Sequence, residues 1–146
     1  MILPITLTIA GAAALLNIWL ARRVGQVRLA QKISIGDGAH PVLTARMRAQ
    51  ANFVEYTPFF LILLGLVELA VGSRTWLWAV AILFILGRIA HAFGMDRPQP
   101  DRLRLRMIGI IVTLGLLLGL ALYAIWIAAM ERTRAPAITY AAAQPL

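Results

Sequence analysis

A chain of 146 residues in which 61% are hydrophobic and only 14% charged cannot cover a water-soluble core with polar surface, so soluble folds are excluded and the bilayer is the solvent in which it folds. With no cysteine, disulfide frameworks and thiolate metal sites are excluded too, and any thiol chemistry must use a ligand's thiol. The net charge of +8 would suit nucleic acid, but no aromatic residues interleave with the basic ones, so nucleic-acid binding is excluded and the charge needs another explanation.

Four apolar runs follow one another, each close to the roughly 20 residues that cross a hydrocarbon core. The first, residues 2–21, ends at Arg22 and Arg23; no basic stretch precedes it, so a retained span is expected in place of a cleaved signal. The second, about 49–72, contains Pro58, and the short turn GSRT joins it to the third, about 76–95, which makes an antiparallel hairpin. The fourth, 107–130, carries no charge between Arg106 and Glu131. Residues 131–146, small and proline-containing, are expected to form a flexible tail. The spans use most of the chain, which predicts a single domain: an all-α, four-transmembrane-helix bundle.

The basic residues mark topology. Arg22, Arg23, Arg28, Lys32, Arg46 and Arg48 lie between spans one and two, and Arg97, Arg102, Arg104 and Arg106 between three and four. The other side holds Arg74, Arg132 and Arg134. Ten against three, with Arg88 inside a span, puts both basic loops in the cytoplasm and both termini outside it.

The stretch RMRAQANFVEYTPFF, residues 46–60, sets a dense polar group at the mouth of span two. Arg48, Asn52, Glu55 and Phe59 recur at helical spacing and share one face, while Gln50 points the opposite way. Ionisable groups at membrane depth are costly, by a contested amount of about 2.5–3.5 kcal/mol on insertion scales, which points to a polar ligand. An Arg-Glu-Asn network that only joins helices is the plainer alternative. On span three, Arg88 and His91 are face neighbours. Arg88 needs a partner, and Glu55 on the antiparallel neighbour is the expected one, as a structural ion pair. His91 has no second histidine near it and His40 lies in a loop, so no metal site is expected. An arginine-rich pocket at the cytoplasmic end suits an anionic ligand with carboxylates.

The segment RAQANFVEYTPFF resembles the signature of the MAPEG family (membrane-associated proteins in eicosanoid and glutathione metabolism), Arg-Ala-Gln/His-x-Asn-x-x-Glu-x-x-Pro. GQVRL at 25–29 and GRIAHAFG at 87–94 resemble further family segments, and ISIGDG with RMRAQANF is most similar to bacterial members. The resemblance spans about 2–130. It implies an integral membrane protein, of the inner membrane in a bacterium, assembled as a homotrimer, with glutathione as co-substrate bound between subunits and a lipophilic small molecule arriving from the membrane lipids. Carried over by position, Arg48, Asn52, Glu55 and Tyr56 would hold glutathione from one subunit and Gln50 and Arg28 from its neighbour, with Arg22 and Arg23 as alternatives to Arg28. The family places an arginine beside the sulfur at the start of helix four. Arg106 is preferred because it opens the apolar run, with Arg104 and Arg102 as alternatives. A guanidinium there favours the thiolate over a free thiol of pKa about 8.5, and the thiolate is the nucleophile. His91 and Met95 stand where catalytic members carry tyrosines, and His91 joins the expected ligand set. The resemblance therefore implies a glutathione-dependent transferase or peroxidase acting on lipophilic electrophiles or hydroperoxides; the alternative is a non-catalytic membrane protein of the same fold that binds glutathione or a lipid.

Overall fold

Proline, whose missing N–H costs nothing in a first helical turn, opens three of the four helices. In the computed structural model, which describes residues 2–96 and 100–142, these are α1 (Pro4–Gln31), α2 (Pro41–Val71), α3 (Thr75–Gly94) and α4 (Pro100–Ala142). Side chains at 100–102 and 133–142 are not among those described, so Arg97 of the charge count, and the side chains of Arg102 and Arg134, lie outside the description. All four helices are long and apolar enough to cross a membrane, and the described residues contain no strand.

The helices overrun the apolar runs. α1 continues past Arg23 to Gln31, and α2 begins at Pro41, well before Ala49. Hydropathy marks only the part inside hydrocarbon. The flanks are rich in Arg, Gln, Leu and Ala, which keep helical geometry outside it. α1 stops where Lys32 enters the left-handed region (φ 55°). α2 starts where the Nδ1 of His40 accepts from the Leu43 N–H at 3.3 Å, a side-chain cap. α4 likewise passes Met130 and extends to Ala142, into the stretch read as a tail.

Two devices set how the helices stack. At the end where α1 begins, Leu3 supplies no side-chain cap. Glu68, on the last turn of α2 and 1% exposed, takes that role from another helix. Its carboxylate accepts from the N–H groups of Ile5 (3.0 Å) and Thr6 (2.8 Å) and from the hydroxyls of Thr6 and Ser73 (both 2.7 Å). A negative charge on the otherwise unpaired N–H groups of a helix start is favourable twice over, as hydrogen bonds and against the helix dipole. Nearby, the rings of Phe60 and Phe84 stack at 3.7 Å between centroids, inside a core that includes Ile5, Ile9, Leu64 and Leu77. At the other end, α3 and α4 touch backbone to backbone: a Cβ on Gly109 would lie 2.5 Å from the carbonyl oxygen of Gly87 and 2.7 Å from the backbone nitrogen of His91. Lipid tails supply little hydrophobic drive between spans, so such close dispersion contact contributes to joining them. Among the described residues α2 and α3 each meet both other helices, whereas α1 and α4 do not meet.

Candidate functional site

The basic end of the bundle is built around one salt-bridged acid and several arginines with other partners. Asp96, just past α3, pairs with Arg23 of α1 and with Arg46 of α2, whose Nε lies at 3.3 Å. Arg46 also donates to the carbonyl of Arg23 at 3.0 Å, and the Arg23 guanidinium lies 4.5 Å from the Trp19 ring centre, a cation–π distance. This network ties three helices together. It also commits Arg23 structurally, while Arg22 remains exposed. Neither Arg46 nor Asp96 was singled out from the sequence. The available signal was an acid set directly between an apolar span and a basic loop.

Arg88, 1% exposed, is not paired with Glu55. It donates from Nη2 to the Asn52 Oδ1 at 2.8 Å and from Nη1 to the Thr113 hydroxyl at 3.4 Å, and its Nε finds no protein partner. Thr113 in turn donates to the Gly109 carbonyl at 2.8 Å. The expected ion pair is thus corrected to a charge held by neutral acceptors. Asn52 and Glu55 are close on the helix but separated by about 60° around it; the bundle takes the amide inward and leaves the carboxylate exposed. Thr113, on a helix that appeared featureless, was invisible in the pattern.

On the outer side of the same turns, Arg48 and Glu55 are exposed and Tyr56 is half-buried, so this stretch of α2 presents both charges around the Asn52–Arg88 contact. His91 is 5% exposed, and its Nδ1 lies 3.3 Å from the carbonyl oxygen of Arg106. That contact joins the end of α3 to the start of α4 and takes one ring nitrogen into packing. The side chains of Arg104 and Arg106 are exposed.

Gln50 and Arg28 sit elsewhere. They share a groove of about 450 Å³ between α1 and α2, with Met47 and Val54, and the Arg28 Nη2 lies 3.4 Å from the Met47 sulfur. The expected ligand residues therefore fall into two groups: Arg48, Asn52, Glu55 and Tyr56 near Arg88, and Gln50 with Arg28 in the α1–α2 groove. The helical repeat puts Gln50 about 160° from Arg48 and from Asn52.

In the loop before α2, Asp37 accepts from the Thr44 hydroxyl at 2.8 Å and from the Ala39 N–H at 3.0 Å. The Thr44 bond, followed by that of Ala39, holds its carboxyl below the ordinary carboxylate range.

A family model described as "MAPEG family" matches residues 6–126. The chain is also 29% identical over 115 residues to the inner membrane protein YecN of Escherichia coli strain K12, covering 78% of this chain and 85% of that one, and identical figures hold for YecN of Escherichia coli strain CFT073.

Proposed function

We propose, from the premise that the chain belongs to the MAPEG family, that it is a thiol-binding protein of a bacterial inner membrane which holds glutathione at its basic end and activates it as thiolate toward lipophilic electrophiles or hydroperoxides. The supporting observation is the division of polar residues between two faces of α2. Arg48, Asn52, Glu55 and Tyr56 form one half of a site, Gln50 and Arg28 the other, and a single chain does not bring the halves together. In a homotrimer, the half-site of one subunit meets the groove of the next, and a ligand with two carboxylates and an ammonium has donors and an acid on both sides.

The chain's own residues have separate tasks in this reading. Arg48 and Arg28 bind carboxylates, and Glu55 accepts from the ligand's ammonium. Asn52 is oriented by Arg88, whose buried charge favours anions nearby. Arg106, or Arg104 or Arg102, stands by the sulfur and favours the anion by charge alone, so no protein base is needed. A second reading, binding without turnover, is favoured by His91, which stands where catalytic members carry a tyrosine and whose Nδ1 is taken up at the Arg106 carbonyl. Calorimetric titration of the detergent-solubilised protein with glutathione, read together with the thiolate ultraviolet band, tests both. Binding with the band supports the transferase, binding without it supports the non-catalytic protein, and no binding refutes the proposal.

A further inference from the structure

Polar groups on three helices form a relay in which chemistry fixes the direction of every hydrogen bond. Arg88 of α3 is buried, and a guanidinium only donates, so each group that faces it must accept. On α2 that group is the Asn52 Oδ1, 2.8 Å from Nη2. The oxygen of this amide is therefore the atom turned to Arg88, and its Nδ2 has no acceptor among the described residues. On α4 the acceptor is the Thr113 hydroxyl, 3.4 Å from Nη1. A hydroxyl has one proton, and Thr113 gives it to the Gly109 carbonyl at 2.8 Å. Toward Arg88 it can only accept. Thr113 lies one turn beyond Gly109, and Arg88 directly follows Gly87, so the backbone contact of those two glycines fixes where the hydroxyl stands against the guanidinium.

We infer that Thr113 is a positioning residue of the ligand site: by anchoring Arg88 from α4, it holds Asn52 with the NH2 group turned to the ligand. The inference rests on the reading of Asn52 as a glutathione residue. Thr113 is 0% exposed and touches no ligand itself. Arg88 makes no ion pair among the described residues, so its orientation depends on its two neutral acceptors, one on each neighbouring helix. Without the acceptor on α4, the guanidinium is free to turn, and the Asn52 oxygen turns with it. An amide whose oxygen is committed offers the ligand donors alone, and beside Arg48 those donors suit a carboxylate oxygen.

The test is a double-mutant cycle in the full chain in detergent, read by calorimetric titration with glutathione. Thr113→Val keeps the shape of the side chain and removes the hydroxyl. It should weaken glutathione about fivefold, the order of one net hydrogen bond, while Thr113→Ser restores the affinity. If Thr113 acts through Asn52, then Thr113→Val should change nothing further once Asn52→Ala is in place. A merely structural threonine would weaken binding equally in both backgrounds, and that result overturns the inference, as does an unchanged affinity in Thr113→Val. A second measurement needs no ligand. Asn17 and Asn52 are the two asparagines of the chain, so selective 15N-asparagine labelling gives two side-chain NH2 pairs by NMR. Thr113→Val should shift the Asn52 pair and leave that of Asn17 in place, whereas Thr113→Ser should move neither. An Asn52 pair that stays still in Thr113→Val overturns the inference. Failure of the unmodified chain to bind glutathione refutes the proposed function instead, and the NH2 signals then decide alone whether Thr113 sets Asn52.

Discussion

The two ends of the bundle treat charge in opposite ways. Where α1 begins, one buried carboxylate, Glu68, accepts four hydrogen bonds, so that charge is fully used inside the chain. At the basic end Asp96 meets Arg23 and Arg46, Arg88 rests on an amide and a hydroxyl with its Nε unmet, and Arg48, Arg104 and Arg106 stay exposed. The contrast separates stability from ligand affinity. A charge whose every lone pair is used inside the chain holds the chain together, while cations left in excess are available to an anion from outside.

The sharpest way to break this comparison is Glu68→Ala, which leaves the α1 start uncapped at membrane depth. It should cost about 3 kcal/mol of stability, several charge-assisted bonds less what local rearrangement recovers, read by denaturant titration in mixed micelles. Glu55→Ala at the open end should cost less than about 0.5 kcal/mol; equal losses would erase the distinction. Next comes Gly109→Ala. Backbone atoms are what the new methyl meets, so α3 and α4 must separate, at about 2–3 kcal/mol by the same measurement. The His91 contact with the Arg106 carbonyl should lengthen, and a chemical shift of the His91 ring that does not move would count against that geometry.

Smaller in stability but decisive for the open end is Arg48→Ala. Glutathione affinity should drop by about 1.5–3 kcal/mol, the scale of a charge-assisted hydrogen bond, with the unfolding midpoint unmoved. Arg106→Ala should leave most of the affinity and remove the thiolate band. If Arg104→Ala or Arg102→Ala removes it instead, the mechanism stands with a different arginine at the sulfur. The smallest effect belongs to Asp37. Its carboxyl titrates lower in the folded loop than in the unfolded chain, so the bonds to Thr44 and Ala39 are fully present above the ordinary value of about 3.9 and are lost as pH falls through the lower folded value. Hydrogen exchange at the Ala39 amide should therefore stay slow at pH 5 and rise, relative to an Asp37→Asn variant, only below about pH 4.

Span number and order were legible because hydropathy is a local property, and the shared face of Arg48 and Glu55 opposite Gln50 was legible because the helical repeat is. Glu68 could have been noticed, since an acid inside GLVELAVG is out of place in hydrocarbon, yet nothing in that stretch says that its partners are the N–H groups of Ile5 and Thr6. The partner of Arg88 was misread for a related reason. Asn52 and Glu55 differ by three residues on one helix, and which of them meets Arg88 depends on how α2 is rotated against α3.

What the sequence determined by itself, then, was the solvent, the four helices and the clustering of polar residues on α2, all of which follow from the periods of a single segment. Only the tertiary structure decided that Arg88 leans on Asn52 and Thr113 and that Asp96 gathers Arg23 and Arg46. Those outcomes turn on the rotation and depth of one helix against another. Rotation and depth are set by close contacts such as Gly109 against Gly87, where the absence of a side chain matters and leaves no hydropathy signal to read.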